Sequence, residues 1–314
     1  MGYIQQAENV MKEVKKVIVG KDACIEKIMM SVLAGGHILI EDIPGVGKTT
    51  LALAFAKAMD LKQNRVQFTP DVLPADITGF TVYNKKTDTF VYQEGAAMCN
   101  ILLADEINRT SPKTQSALLE VMEEGNVTVD GVTREVPNPF IVIATENPIG
   151  STGTQMLPES QLDRFMVCLS MGYPDKQEEI AILQGRRKGN PLNDVLPAIH
   201  ARELLVMQKD VEEVFIHEEV YQYMVDLADA TRKSDMLELG LSPRGTLALS
   251  KMAQACAYLK GRTFVIPEDV SEVFSDVAVH RIRRSPKAKL NHRTAEEVLE
   301  QILQDTPKPS PEKG

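Results

Sequence analysis

The chain has 314 residues, of which 43% are hydrophobic and 25% are charged, a balance that is typical of globular proteins and excludes a largely disordered chain. Its 44 acidic and 35 basic residues give a net charge of −9, which disfavours a general nucleic-acid binder. The four cysteines lie far apart without a CxxC pair, so we expect neither a disulfide framework nor a zinc site.

The sequence shows no segment that would carry the chain into a membrane. No apolar run reaches the roughly 18 residues that a membrane-spanning helix needs. The first residues, MGYIQQAENVMKEVKK, lack the apolar core of a signal peptide. We therefore expect a soluble, cytoplasmic protein without membrane insertion.

The first half of the chain alternates short apolar runs with helical patterns. Nearly continuous apolar runs are typical of strands buried on both faces. Such strands are predicted at residues 37–42, 65–68, 101–104, 140–145 and 165–170. Helices are predicted between them, at residues 48–60, 112–124 and 175–188. This alternation predicts a three-layer α/β domain with a parallel sheet.

Two stretches interrupt this alternation, at residues 80–92 and 127–136. The second has Asp130-Gly131 between alternating arms, a strong hairpin signal, and we predict that both are inserted β-hairpins. After about residue 190 the pattern is helical, with helices predicted at residues 217–234, 243–259, 267–284 and 294–305. The predicted domains are an α/β domain at 1–190, a helical domain at 191–305 and a disordered, proline-rich tail at 306–314.

The strongest chemical signal is a glycine-rich loop between the first strand and the first long helix. Its residues are Pro44, Gly45, Val46, Gly47, Lys48, Thr49 and Thr50. Glycines let backbone amides wrap around phosphates at a helix N-terminus. Lys48 would then reach the outer phosphates, and the Thr49 hydroxyl would bind Mg²⁺. In the full pattern G-x-x-x-x-G-K-[ST], the first glycine is replaced here by Asp42.

A carboxylate pair, Asp105 and Glu106, ends the third predicted strand. Such a position faces the ligand crevice of an α/β sheet. Asp105 would hold Mg²⁺ through water, and Glu106 would orient or deprotonate an attacking water. Asn147 follows the next strand in the same way and could hold that water. An asparagine before a proline is also a natural turn residue.

Two arginines are candidates for contacts with phosphate. Arg164 could reach the nucleotide of a neighbouring subunit, a role worth ~10³-fold or more in rate where it is used. Arg244 opens a predicted helix of the second domain and could contact phosphate from there. The alternatives are a helix-end salt bridge for Arg164 and an ordinary surface arginine for Arg244.

Together with longer ordered matches, these residues resemble the MoxR family of AAA+ ATPases. The matches are residues 65–79 (RVQFTPDVLPADITG), 104–109 (ADEINR), 112–120 (PKTQSALLE), 157–165 (LPESQLDRF) and 242–244 (SPR). The resemblance implies an AAA+ αβα nucleotide-binding domain with inserted β-hairpins, followed by a small all-helical lid domain. The hairpins are similar to the helix-2 insert and the pre-sensor hairpin of that clade.

The resemblance also implies roles for individual residues. Residues 44–49 are similar to Walker A, Asp105-Glu106 to Walker B and Asn147 to sensor 1. Arg164 is similar to the arginine finger and Arg244 to sensor 2. Val19 and Gly20 are similar to the stretch that lines the adenine pocket. Arg109 is a second candidate for the inter-subunit arginine, and Glu146 stands where the family often has glutamine.

The implied activity is hydrolysis of ATP to ADP and phosphate, with Mg²⁺, in a ring that is usually a hexamer. Family members act as chaperone-like remodelling ATPases on client proteins, often with a partner that carries a von Willebrand factor A domain. The ATPase subunit of a metal-chelatase-like complex and a nucleotide-dependent binding switch stay open as alternatives. A DNA motor is disfavoured, since the basic run at residues 281–293 lacks interleaved aromatics. The sequence leaves open whether Arg244 acts within its own subunit.

Overall fold

A computed structural model describes residues 3–43, 45–146, 157–187 and 189–309. Two of the predicted site residues, Pro44 and Asn147, therefore lie outside the described residues, as do residues 310–314 of the predicted tail. None of the described helices combines the length and the apolar composition needed to cross a bilayer.

The strands and helices follow the predicted order closely. In chain order the strands are β1 (Ile38–Glu41), β2 (Gln63–Gln67), β3 (Phe80–Asn84), β4 (Thr89–Gln93), β5 (Ile101–Asp105), β6 (Asn126–Val129), β7 (Val132–Glu135), β8 (Ile141–Glu146), β9 (Val167–Leu169), β10 (Leu237–Leu239) and β11 (Arg283–Arg284). The helices are α1 (Ile4–Lys15), α2 (Asp22–Leu33), α3 (Lys48–Ala58), α4 (Pro74–Thr78), α5 (Pro112–Glu124), α6 (Glu159–Leu162), α7 (Lys176–Arg187), α8 (Ala201–Glu212), α9 (Glu218–Lys233), α10 (Pro243–Leu259), α11 (Pro267–Ala278), α12 (Pro286–Leu290) and α13 (Ala295–Asp305).

The predicted parallel sheet is confirmed. Its strand order is β2-β5-β8-β1-β9, and every neighbouring pair runs parallel. Because β8 lies between β1 and β5, the loops that leave β1 and β5 flank the end of β8. All three ends lie at the carboxyl edge of the sheet, where α/β proteins bind ligands.

The sheet is buried on both faces, which explains its nearly continuous apolar strands. Ile38 and Ile40 face one core together with α1, α2 and α3, whereas Leu39 faces a second core with α5. The fold is therefore three-layered, as predicted. The first core continues into the second half of the chain, where Leu249 of α10 and Phe274 of α11 belong to it.

Both predicted hairpins form, as the antiparallel pairs β3–β4 and β6–β7. The second half is mainly helical, but the prediction of an all-helical domain missed the short antiparallel pair β10–β11. The helix predicted at 267–284 ends at Ala278, because the chain turns to bury Arg281, whose Nε donates to Asp163 Oδ1 at 2.8 Å.

The start of the predicted disordered tail also differs from expectation. Thr306 is buried, and its hydroxyl donates to the Ile302 carbonyl at 2.8 Å. Lys308 Nζ lies 3.7 Å from Glu268 Oε1 on α11. Residues 306–309 therefore continue the fold beyond α13 instead of leaving it.

Candidate functional site

The glycine-rich loop connects β1 to α3 at the carboxyl edge of the sheet. Gly45 and Gly47 have φ angles of 88° and 99°, a left-handed region that side chains other than glycine rarely adopt. Lys48 begins α3 directly after this turn. The loop therefore places backbone amides and a helix N-terminus where an anionic phosphate group would be stabilised. For this reason the glycine-rich loop is called the phosphate loop below.

Lys48 is buried, and its ammonium group lies against backbone carbonyls. Nζ donates to Asp42 O at 2.5 Å, to Ile43 O at 3.4 Å and to Glu146 O at 3.5 Å. Burial lowers the pKa of Lys48, while the charges of Asp42 and Asp105 act in the opposite direction. The ammonium group thus spans the gap between the ends of β1 and β8, beside the phosphate loop.

Asp42, which replaces the first glycine of the pattern, is an anchor for the loop. Its Oδ2 accepts hydrogen bonds from the backbone amides of Met171 at 2.6 Å and Gly172 at 2.7 Å. Its Oδ1 accepts from the amide of Ile43 at 2.9 Å. The carboxylate ties the start of the loop to the segment that follows β9, so the substitution changes how the loop is held.

Three side chains contact the Asp105 carboxylate at the end of β5. The Thr49 hydroxyl donates to Oδ2 at 3.2 Å, and the Thr145 hydroxyl donates to Oδ1 at 3.2 Å. Arg65 of β2 donates from Nε to Oδ2 at 2.7 Å. The Thr49 and Asp105 oxygens are hard donors of the kind that Mg²⁺ prefers, and a cationic group already lies against one of them. These two residues therefore fit a Mg²⁺ site.

Glu106 follows in a strained backbone conformation. Its φ of 57° and ψ of 48° are left-handed, and its amide donates to Thr145 Oγ1 at 2.9 Å. Its Oε2 lies 2.8 Å from Arg109 Nη1. Arg109, the second candidate for an inter-subunit arginine, thus contacts the carboxylate of its own subunit. Asp105 and Glu106 thus lie together at one strand end.

Glu146 ends β8 and lies opposite Glu41 of β1 in the parallel register. Burial and, to a smaller extent, the charge of Glu41 raise the pKa of Glu146, against a hydrogen bond with Asn108 that lowers it, and the resulting pKa is about 7. A buried carboxylic acid therefore stands at this strand end, directly before Asn147.

A cavity opens beside the phosphate loop on its α7 side. Its lining includes Val17, Val19, Val46, Ile182 and Arg186. Apolar walls next to a phosphate loop are suited to a flat base. Val19 lines this cavity, and its contact with the base stays a prediction.

Gly20 lies next to Val19, but it packs against α7. An added Cβ there would come within 1.7 Å of a Glu178 carboxylate oxygen. That oxygen is the end of a flexible side chain and can move aside, so it is the φ of 73° at Gly20 that favours glycine here.

The two predicted arginines meet at one carboxylate that sequence reasoning missed. Arg164 Nε donates to Glu123 Oε2 at 2.7 Å, and Arg244 Nη2 donates to Glu123 Oε1 at 3.0 Å. Glu123 lies in the last turn of α5. Arg164 therefore has a salt bridge, as its alternative interpretation predicted, and Arg244, whose alternative was an ordinary surface arginine, shares the same partner.

This arginine pair lies at the opposite edge of the sheet from the phosphate loop. Arg164 comes just before β9, and His37, which comes just before β1, contacts Met122 O in the last turn of α5 at 3.0 Å. Both contacts belong to the amino edge of the parallel strands. From His37 to Asp42, five residues at about 3.3 Å each span about 16 Å.

Three of the six lysines and arginines in the basic run at residues 281–293 pair with acidic residues of the fold. Arg281 pairs with Asp163, Arg283 with Glu159 and Glu238, and Lys287 with Asp235. Side chains engaged in this way are poorly placed to neutralise nucleic-acid phosphates.

Beyond Glu123, sequence reasoning missed the contacts of Arg65 and Thr145 with Asp105. Arg65 belonged to a matched motif but had no predicted role. Its strand alternates half-buried and exposed residues, which marks an edge strand but does not indicate which carboxylate Arg65 contacts. Thr145 follows four apolar residues in β8, and a hydroxyl at a buried strand end was a usable signal for a hydrogen bond.

Residues 37–167 match the family described as ATPase family associated with various cellular activities (AAA), and residues 229–302 match the AAA lid domain. The protein YeaC of Bacillus subtilis is 45% identical over 293 residues, which cover 93% of this chain and 92% of YeaC. Chaperone MoxR1 of Mycobacterium tuberculosis is 38% identical over 96% of this chain and 82% of its own length.

Among solved structures, a protein of Cytophaga hutchinsonii assigned as an ATPase superposes with a TM-score of 0.91. It is 35% identical in sequence, and the superposition covers 98% of this chain and 96% of that one.

Proposed function

The chain belongs to the MoxR family of AAA+ ATPases, and from this we propose that it hydrolyses ATP in an assembled ring to remodel or activate a client protein. The observation that carries hydrolysis is the cluster at the carboxyl edge of the sheet. There the Thr49 hydroxyl meets the Asp105 carboxylate at 3.2 Å, and the Glu106 amide is held by Thr145 at 2.9 Å.

In this proposal each residue has a separate task. The amides of Gly45 to Gly47 and the Lys48 ammonium group bind the phosphates. Thr49 and Asp105 hold Mg²⁺, which neutralises charge on the phosphates when it is bound. Glu106 orients and deprotonates a water molecule, with Asn147 as its helper. Val19 lies beside the base.

We assign Arg164 and Arg244 to the nucleotide of a neighbouring subunit. Their shared partner Glu123 lies at the amino edge of the sheet, about 16 Å of strand from the phosphate loop of the same subunit. An arginine side chain is shorter than this span. A ring, which we expect to be a hexamer, would bring this edge of one subunit to the phosphate loop of the next. Arg109 follows β5 at the carboxyl edge, where it contacts Glu106 of its own subunit at 2.8 Å, whereas Arg164 lies at the amino edge, which favours Arg164 as the finger.

The proposals for the client and the partner rest on the family and not on the geometry of the site. From the family we propose a protein client and a partner with a von Willebrand factor A domain. No contact in the described residues favours a chelatase-like complex, and the engaged basic run argues against a DNA motor.

The test is complementation between two inactive variants. Glu106→Gln should bind ATP without hydrolysing it, since the carboxylate that activates water is gone. Arg164→Ala should retain its own site but supply no arginine to its neighbour. Mixed at concentrations where the wild-type rate per subunit has saturated, the two variants should recover hydrolysis that neither shows alone.

Three results would contradict the proposal. Full turnover by Glu106→Gln would remove Glu106 from catalysis. Absence of any recovery in the mixture would mean that Arg164 does not act on a neighbouring subunit. Negligible turnover by the wild-type chain at every concentration would favour the nucleotide-dependent switch instead.

A further inference from the structure

Glu123 holds two arginines that come from separate segments of the chain. Arg164 lies in the loop before β9, whereas Arg244 lies in the first turn of α10. The hydrogen bond from Arg164 lowers the pKa of the Glu123 carboxyl, so the carboxylate is charged at neutral pH. Two guanidinium groups around one carboxylate leave a net charge of +1, which an anion could neutralise.

The backbone that carries Glu123 is fixed at the sheet. His37 is half-buried, and desolvation of its ring lowers its pKa to about 4, so the ring is neutral. Its Nδ1 accepts from the Val142 amide at 3.0 Å, and its Nε2 therefore donates to Met122 O at 3.0 Å. The last turn of α5 is thus joined to the central sheet, directly beside Glu123.

The segments that carry the two arginines are also joined to each other. Asp163, next to Arg164, accepts a hydrogen bond from the Ser242 hydroxyl at 2.9 Å and from Arg281 Nε at 2.8 Å. Ser242 is the N-cap of α10, two residues before Arg244. Only the arginine side chains remain to be oriented, and Glu123 contacts both.

We propose that Glu123 is a positioning residue that holds Arg164 and Arg244 together as one anion-binding unit for the nucleotide phosphates of a second copy of this chain. This inference rests on the proposed function. The bond to Glu123 uses Nε of Arg164, which leaves its two terminal nitrogens for a phosphate. A free arginine carries roughly 2 kcal/mol of side-chain entropy, and holding both arginines in advance reduces what must be ordered in the transition state.

A purely structural role predicts a different pattern. The side chains of Glu123, Arg164 and Arg244 are 40%, 29% and 42% exposed, and exposed ion pairs contribute little to stability. Glu123→Gln should therefore leave the melting temperature unchanged. Glu124→Gln is the matched control, because Glu124 is the adjacent exposed glutamate on the same helix.

The experiment extends the complementation assay. Arg164→Ala subunits are mixed in turn with three donors, which are the subunits that supply Arg164. The first donor carries Glu106→Gln alone. The second carries Glu106→Gln and Glu124→Gln in one chain, and the third carries Glu106→Gln and Glu123→Gln in one chain. We expect the first two donors to restore equal hydrolysis and the third to restore about tenfold less, as expected for misplaced catalytic groups. The loss should appear in kcat, with KM for ATP unchanged, because the Arg164→Ala subunit keeps its own phosphate loop. A donor that carries Glu106→Gln and Glu123→Asp in one chain should recover part of the rate.

The outcomes separate the two proposals. If no donor restores hydrolysis, the trans role of Arg164 fails and this inference fails with it. If Glu106→Gln restores hydrolysis and the Glu123→Gln donor restores it equally, only the positioning role is refuted. A faster rate with the Glu123→Gln donor also refutes it, because Glu123 would then restrain the arginines instead of presenting them.

Discussion

Replacing Asp42 with alanine should destabilise the chain strongly, although a glycine normally stands at this position of the motif. The carboxylate accepts from the amides of Met171 at 2.6 Å and Gly172 at 2.7 Å. Hydrogen bonds to charged groups contribute roughly 1.5–3 kcal/mol each. Losing both should lower the free energy of unfolding by about 3–5 kcal/mol, because the Met171 amide is buried.

Asp42→Asn should cost less, about 1–2 kcal/mol, because the amide oxygen still accepts from the two amides. In the wild-type chain the Ile43 amide donates to the other carboxylate oxygen at 2.9 Å. In the variant the NH₂ group would face this amide, and because both groups are donors, that hydrogen bond would be lost. The graded pair distinguishes loss of an acceptor from loss of charge.

The assay is urea unfolding followed by far-UV circular dichroism, since the chain has no tryptophan for fluorescence. Asp194→Ala, at an exposed aspartate in a short turn, is the control and should change the free energy of unfolding by less than about 0.5 kcal/mol. An Asp42→Ala midpoint equal to that of the control would refute the anchoring role.

Three further predictions concern the site itself. Arg65→Ala removes a cation that lies 2.7 Å from Asp105 Oδ2, so Mg²⁺ should bind about fivefold tighter in the presence of ADP, as measured by titration calorimetry; weaker binding would mean that Arg65 supports the metal site. Lys48→Ala should weaken ATP binding by at least about tenfold, because a charge-assisted contact to phosphate is lost, and unchanged binding of a fluorescent ATP analogue would contradict this. Glu146 keeps its proton up to about pH 7 in the fold but loses it near 4.5 when unfolded, so stability should fall as pH rises between these values. Glu146→Gln should flatten that fall and be more stable than the wild type at pH 8 by up to about 3 kcal/mol; parallel pH profiles would exclude the effect.

The sheet and its carboxyl-edge site were predictable because their signals are local. Buried parallel strands appear in the sequence as continuous apolar runs. A glycine-rich loop between a strand and a helix can be recognised from seven residues. Thr49 and Asp105 therefore lie in contact at this edge, with Lys48 close by, and their roles stay predictions. Pro44 and Asn147 stay predictions.

The remaining contacts depend on tertiary pairing, which leaves no local pattern. In the sequence Glu123 does not differ from other glutamates in helical segments. The two arginines that contact it lie 41 and 121 residues further along the chain. The early end of α11 has the same cause, because burial of Arg281 against Asp163 overrides a helical pattern that continued to residue 284. The β10–β11 pair is too short to produce a periodic signal.

The backbone at Glu106 has a consequence for how this chain could change under selection. A left-handed glutamate costs roughly 1–2 kcal/mol relative to a residue that adopts this region readily. Asparagine and glycine adopt it more easily, and either would abolish the carboxylate. If Glu106 activates water as proposed, screening for thermal tolerance alone would therefore enrich inactive chains at this position. Stabilised versions of this protein should be selected for turnover at the same time, since heat resistance and activity favour different residues here.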